Sequence, residues 1–328
     1  MPATSLSLLD NVRLGNGTDG LRNFYNQLLK NDRPKALELI NDQHLKFGSL
    51  YQLRYECSSP RIAEAMNPLY GKALRMIPEL SGRADRHSEA LMRSGRDSTY
   101  AALRWMMKTG FDENEAGSGY DQIMERTAAL LTKSFSDTDV LPEIAEMIFA
   151  KNRSGKLIHE LVWAFFEARK PESLALLVQR LDSADSGDVE LAKKLLYFIP
   201  CIRENPGMPA NILQMQAMAW LRDNLPYLYY TGESLHLSSQ PLTYAMEWNA
   251  KYLCRPVSPE NGELLSILNP FENELMKHFS ELPENTRKNM ADFSYLLYRT
   301  NFNQWTNWIQ LPLVNQINLT ERYMGGLA

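Results

Sequence analysis

The sequence has few cysteines. Its 328 residues include only Cys57, Cys201 and Cys254, which are far apart and form no C-x-x-C pair. Disulfide scaffolds carry many cysteines in a short chain, and zinc sites built from thiolates place them at short spacings. The sequence therefore predicts neither a disulfide framework nor a thiolate zinc site, and it fits a reducing compartment such as the cytoplasm.

Long apolar runs are also missing from the sequence. The longest strongly apolar stretch, Leu161 to Phe166, spans six residues, whereas a membrane-spanning helix needs about 20. The first 20 residues lack the cationic start and the apolar core of a secretory signal peptide. We therefore expect a cytoplasmic protein without membrane insertion. The alternative is export without such a signal, because residues 1–18 resemble bacterial type III secretion leaders in composition.

Neither sign of charge dominates the chain. Lys and Arg total 35 against 39 for Asp and Glu, which gives a net charge of −4. Proteins that hold duplex nucleic acid generally present a strong basic field to the phosphates. Nucleic acid is therefore not an expected partner.

Helical periodicity is abundant, and it is clearest over residues 138–199. Glycine and proline, such as Gly155 and Pro171, separate four amphipathic segments that begin near 138, 155, 171 and 188. Short turns between helices make neighbours antiparallel, so the predicted fold class is all-α. Apolar residues follow the helical rule i, i+1, i+4, i+5, i+8 in the first segment, at Val140, Leu141, Ile144, Ala145 and Ile148.

Helix starts about 16 residues apart give a helix pair about every 33 residues, which is typical of α-solenoids. The segment LIHELVWAFFEARKPESLALLVQRL, residues 157–181, resembles one helix pair of the HEAT and armadillo repeat class. The resemblance implies an irregular α-solenoid or stacked antiparallel helical hairpins. Past Pro200 prolines interrupt shorter, aromatic-rich helices. We expect a flexible leader (1–18), a helical-repeat region (19–204), an irregular helical C-terminal region packed on it (205–324) and a flexible tail (325–328).

Two sequence patterns resemble enzyme motifs, but each lacks a residue or a strand that the motif requires. Gly15 to Gly20 satisfies G-x-G-x-x-G, yet Asp10 and Arg13 stand where a buried strand must precede a dinucleotide-binding turn. His159 opens an H-E-x-x-H pattern, but Trp163 occupies the position of the second histidine. The sequence therefore predicts no catalytic residue, no metal and no cofactor, and it favours a protein that is not an enzyme.

A basic segment lies within this nearly neutral chain. From Lys72 to Lys108 there are eight cationic side chains against four acidic ones. Guanidinium groups can hold a carboxylate or a phosphate of a partner, whereas the plainer alternative is an exposed face neutralised by Asp85 and Asp97. The predicted partner-binding residues are Arg83, Arg86, Arg93, Arg96 and Arg104.

Large rings concentrate in the C-terminal third of the chain. Met215 and Met218 accompany them on one predicted helix. Aromatic rings and methionines favour interfaces and adaptable grooves, although they also fill ordinary cores. The residues predicted to form an aromatic groove are Tyr229, Tyr244, Trp248, Trp305 and Trp308.

These observations favour a non-enzymatic scaffold or adaptor that binds a protein or peptide in a helical groove. One alternative is an all-α enzyme or small-ligand-binding protein that uses the aromatic residues. Another, resting on the leader, is a bacterial secreted effector or a regulator of secretion. An open groove favours the adaptor, whereas a closed apolar cavity with converging polar groups favours a binder of small ligands.

Overall fold

Helices dominate the computed structural model of the chain, which describes residues 6–82, 95–111, 117–205 and 207–325. The structure is 70% helical, and its described ranges contain 18 α-helices and one two-stranded sheet. The prediction of an all-α fold is confirmed. The solenoid arrangement of the helices stays a prediction.

Two compact units divide the chain, Met1–Ala168 and Arg169–Ala328. The division lies inside the segment 19–204, which the sequence assigned to a single helical-repeat region, and it precedes the boundary expected near 205. The helices predicted from periodicity over 138–199 are present, two in each unit.

The first unit has nine α-helices in its described ranges. Proline lies in the first turn of four of them. Backbone N–H groups in the first turn have no acceptor within the helix, so proline, which lacks this group, costs no hydrogen bond there. The nine are α1 (Leu8–Asn31), α2 (Arg33–Ile40), α3 (Phe47–Gln52), α4 (Pro60–Ala63), α5 (Pro68–Ser81), α6 (Arg96–Thr109), α7 (Ser118–Phe135), α8 (Leu141–Arg153) and α9 (His159–Glu167).

Helix α1 begins inside the segment that the sequence assigned to a flexible leader. The Ser7 hydroxyl accepts the Asp10 backbone N–H at 3.1 Å and caps the helix, and Leu9 is fully buried in the core of the unit. The helical geometry breaks at Gly17, whose φ of 70° suits glycine. The leader prediction therefore differs from the structure over the described residues 6–18.

Asp10 explains why this segment is ordered. Its carboxylate is fully buried and accepts the Ser49 hydroxyl at 2.6 Å and the Lys46 backbone N–H at 3.1 Å. Ser7 donates a third hydrogen bond at 2.6 Å. Two of these donors come from the start of α3, so the contacts that order the segment are not local in sequence.

The second unit has nine α-helices in its described ranges and one short antiparallel sheet. The sheet pairs β1 (Leu228–Tyr230) with β2 (Tyr244–Met246). The helices are α10 (Leu174–Val178), α11 (Ser186–Leu195), α12 (Pro200–Glu204), α13 (Ala210–Asn224), α14 (Trp248–Tyr252), α15 (Pro270–Ser280), α16 (Glu284–Thr300), α17 (Phe302–Ile309) and α18 (Leu313–Gly325).

An aromatic core holds the last helices of the second unit around α14. The Tyr252 ring stacks on Phe279 with 4.1 Å between centroids and meets the edge of Trp308 at 5.9 Å. The buried Gln316 amide accepts the Tyr252 hydroxyl at 2.7 Å and donates to the Leu311 carbonyl at 2.9 Å. The buried polar atoms of Tyr252 and Gln316 are therefore satisfied within a core of large rings.

Two thiols with raised pKa values, Cys57 and Cys254, are expected to make the stability of the folded state sensitive to alkaline pH. Burial raises the pKa of Cys57 and of Cys254 to about 12, whereas the pKa of a thiol in the unfolded chain is about 8.5. Above that pH the unfolded chain releases protons that the folded chain keeps, so stability falls as pH rises toward 12. Each thiol is expected to add about 1.4 kcal/mol per pH unit to this fall in the free energy of unfolding.

Urea unfolding between pH 8 and pH 11 measures this dependence, and a Cys57→Ala variant isolates the contribution of one thiol. We expect the variant to lose stability less steeply with pH than the unaltered protein. Equal slopes for the two proteins would show that Cys57 does not retain its proton in the folded state.

Candidate functional site

The five arginines predicted to bind a partner divide into two groups. Arg83, Arg86 and Arg93 lie outside the described residues. Arg96 begins α6, donates a hydrogen bond to the Ser134 carbonyl at 3.2 Å and lies 5.2 Å from the centre of the Phe135 ring. Its guanidinium therefore contacts the end of α7 in the same unit.

Arg104 also contacts its own unit. Its guanidinium donates to the Tyr100 hydroxyl at 2.8 Å and to the Asp139 carboxylate at 2.9 Å. The neighbouring Lys108 donates to Glu143 at 2.7 Å. These bonds join α6 to the start of α8, so Arg104 and Lys108 have their carboxylate partners within the first unit.

Three of the five predicted aromatic residues come together. Trp248, Trp305 and Trp308 belong to one apolar cluster of the second unit, and Trp305 donates to the Ser294 hydroxyl at 2.9 Å. Trp308 is 3% exposed, so it is a core side chain.

The other two predicted aromatic residues lie on the small sheet. Tyr244 is 3% exposed, and its ring lies 5.8 Å from that of Phe198 and 6.1 Å from that of Tyr230. Tyr229 packs against Gly262, where an added Cβ would stand 3.0 Å from the ring. Both tyrosines therefore have packing roles.

The second unit contains an open apolar groove, which we call the methionine groove. It has a volume of about 770 Å³ and lies between α10 with its following turn and α13. Met215 is 65% exposed and Met218 is 36% exposed. Its apolar lining is Ala175, Met215, Met218, Ala219, Leu221 and Leu225.

Two of the four polar side chains that line the methionine groove already make hydrogen bonds. The Gln214 side-chain amide donates to the Gln179 carbonyl at 3.1 Å, and the Arg222 guanidinium donates to Asp223 at 3.2 Å. Glu172 is the only acidic side chain in the described lining. The groove therefore presents mainly thioether and aliphatic surface.

A second concavity of the same unit, which we call the lysine cleft, contains a buried charge. Its volume is about 560 Å³. Lys251 is 3% exposed, and its ammonium donates to the Asn224 side-chain carbonyl at 2.5 Å and to the Asp292 carboxylate. A buried ammonium needs such partners because its desolvation costs several kcal/mol.

Aromatic faces complete the surroundings of this ammonium. The Lys251 nitrogen lies 5.7 Å from the centre of the Trp248 ring and 5.6 Å from that of Tyr295. Both distances are within the reach of cation–π attraction. Unlike the methionine groove, the lysine cleft therefore combines aromatic walls with polar groups that converge on one place.

Sequence reasoning identified Trp248 but missed Lys251, Asp292 and Asn224. Asn224 and Asp292 lie 27 and 41 residues from Lys251, so no local pattern connects them. One signal was available on α16, where Lys288, Asp292, Tyr295 and Arg299 recur at helical spacing and line the cleft.

Two further kinds of site were sought across the described ranges. No group of three or more His, Cys, Asp or Glu side chains is placed there to hold a metal ion. No helix in those ranges has both the length and the apolar character needed to cross a membrane. Comparisons of this chain with models of protein families, with curated proteins and with solved structures gave no match.

Proposed function

We propose that this chain is a non-enzymatic scaffold or adaptor that binds an amphipathic helix of a partner protein in the methionine groove. The observation that carries the proposal is Met215, which is 65% exposed in the wall of a groove of about 770 Å³. Exposed apolar surface costs free energy in water and commonly marks a place where another molecule packs.

The geometry of the groove favours a helix as its occupant. Its walls are themselves helical, and a third helix packs well into the space between two others. On α13 the apolar positions Met215, Met218 and Leu221 succeed each other at intervals of three residues, so they form one continuous stripe. A bound helix would face this stripe with its own apolar side chains at i, i+3, i+4 and i+7.

The chemistry of the groove favours a protein over a small polar molecule. Specific small-ligand sites aim several polar groups at one point, whereas the Gln214 amide and the Arg222 guanidinium already have partners within the unit. Methionine adapts its shape to different apolar surfaces because its side chain is flexible and polarizable. The groove therefore suits the apolar face of a helix.

A double variant, Met215→Lys/Met218→Lys, tests this proposal with a defined probe. The probe is a fluorescein-labelled 16-residue model peptide with leucine along one helical face and glutamine and lysine elsewhere. We expect the unaltered protein to bind it and the double variant to bind it at least about tenfold more weakly, because two buried apolar contacts are replaced by charges. Fluorescence anisotropy measures both affinities.

Ile267→Lys is the matched control, because Ile267 is 98% exposed on the same unit but does not line the groove. It should bind the peptide like the unaltered protein. A second control is a peptide of the same composition with its leucines scattered around the helix. Equal binding of the two peptides would show nonspecific binding to apolar surface and overturn the proposal. The same conclusion would follow if the Ile267→Lys variant lost as much affinity as the double variant.

A further inference from the structure

We infer that the lysine cleft is a second binding site, which takes a small organic anion with an aromatic body. The anionic group would contact Lys288, and the ring would lie among the aromatic walls. This inference concerns a different surface and a different class of ligand from those of the methionine groove.

Charge pairing within the cleft singles out Lys288. All three acids in the described lining of the cleft already contact cations. Asp292 accepts from the buried Lys251, and Asp223 accepts from Arg299. The third, Glu204, lies 3.3 Å from Arg203.

Lys288 differs from these cations. It is half-buried in the lining of the cleft, and in the part of the chain that the structure describes no carboxylate lies within 4.0 Å of its ammonium. It stands one helical turn before Asp292 on α16, so both side chains lie on the same face of that helix. The cleft therefore offers one cation whose charge is not yet neutralised.

The position of Lys251 determines which sign of charge the ligand should carry. In many aromatic cages the ring faces receive a cationic ligand. Here Trp248 and Tyr295 already face the Lys251 ammonium, at 5.7 Å and 5.6 Å. A cationic ligand would meet a like charge in a site of reduced dielectric, whereas an anionic one would pair with Lys288, which no carboxylate of the described ranges contacts.

The size and walls of the cleft suit a ring system. A volume of about 560 Å³ lies within the range of about 300–1,000 Å³ that is usual for small-ligand sites. Trp220 and Trp248 are each partly exposed along its wall. Indole faces provide large rigid surfaces on which a flat aromatic ligand stacks.

Three probes that share one ring system and differ in charge test the inference on the 328-residue chain. They are 1-naphthoate, the neutral 1-naphthamide and 1-naphthylmethylammonium, each titrated by isothermal calorimetry. We expect 1-naphthoate to bind at least about tenfold more tightly than the amide, because a charge-assisted hydrogen bond to lysine is stronger than a neutral one. The ammonium probe should bind most weakly.

A Lys288→Met variant should lose the preference for 1-naphthoate and keep the affinity for the amide, whereas Lys288→Arg should retain the preference. Lys277→Met is the matched control, because Lys277 is exposed on α15 and does not line the cleft. It should behave like the unaltered protein, and so should the methionine-groove double variant. Circular dichroism checks that each variant is folded.

Other results would overturn the inference. Equal affinities for the three probes would show binding to apolar surface alone, and tighter binding of the ammonium probe would show a cation site. A folded Lys288→Met variant that still prefers 1-naphthoate would remove Lys288 from the site. Loss of the preference in the methionine-groove double variant would place the bound probe in the methionine groove.

Discussion

An Asp10→Ala variant is expected to lose about 3–5 kcal/mol of the free energy of unfolding of the first unit. The Asp10 carboxylate is fully buried and accepts hydrogen bonds from Ser7, Lys46 and Ser49. Its removal leaves the buried Ser7 and Ser49 hydroxyls and the partly buried Lys46 N–H without their acceptor, and each such donor is costly. Urea unfolding followed by circular dichroism measures the change.

Asp19→Ala is the matched control for this prediction. Asp19 lies on the same helix, carries the same side chain and is exposed. Its replacement is expected to cost less than about 1 kcal/mol, as is usual for surface or helix-capping positions. Similar unfolding curves for the two variants would show that the buried network does not hold α1 in place.

A Phe279→Ala variant is expected to destabilise the second unit by about 3–5 kcal/mol. Phe279 is fully buried, and its ring lies parallel to that of Tyr252 with 4.1 Å between centroids. Truncation removes this contact and leaves a cavity in an apolar cluster that includes Trp308. Because that cluster contains tryptophans, urea unfolding followed by tryptophan fluorescence reports the change.

Phe271→Ala provides the comparison on the same helix. Phe271 lies in the first turn of α15 and is 48% exposed, whereas Phe279 lies in its last turn and is fully buried. We expect the Phe271 variant to retain most of the stability of the unaltered protein, since burial decides the cost of truncation. If both variants lost the same free energy, the change would reflect helix propensity and not core packing.

The helical content of this protein was predictable because its signal is local. Apolar residues at helical spacing and proline in first turns identified α8 and α9 and the helices that follow Pro171. Each of these patterns depends on residues within about two turns of one another, so a single sequence contains it in full.

The order of the first helix was not predictable in the same way. Residues 6–18 contain few apolar side chains, and the sequence alone indicated a flexible leader. Their order depends on Asp10, whose acceptor atoms meet donors at Lys46 and Ser49. A buried carboxylate and an exposed one look alike in a sequence, because burial is a property of what the rest of the chain places around it.

The two candidate sites differ in the same way in how far the sequence alone predicts them. Met215 and Met218 lie three residues apart on one helix, so the sequence alone indicated an apolar surface there. The lysine cleft depends on Lys251, Asn224 and Asp292, which the second unit brings together from three helices. Only the interatomic distances show which charges of the lysine cleft are paired.

The sequence by itself determined the fold class, the presence of the four helices over 138–199, and the shortage of cysteine, long apolar runs and net charge. The tertiary structure alone decided which charges have partners. It places Arg96 and Arg104 against carbonyl and carboxylate groups of their own unit and leaves Lys288 without a carboxylate within the described ranges. The reason is physical: helix formation follows from neighbours along the chain, whereas burial and ion pairing follow from neighbours in space.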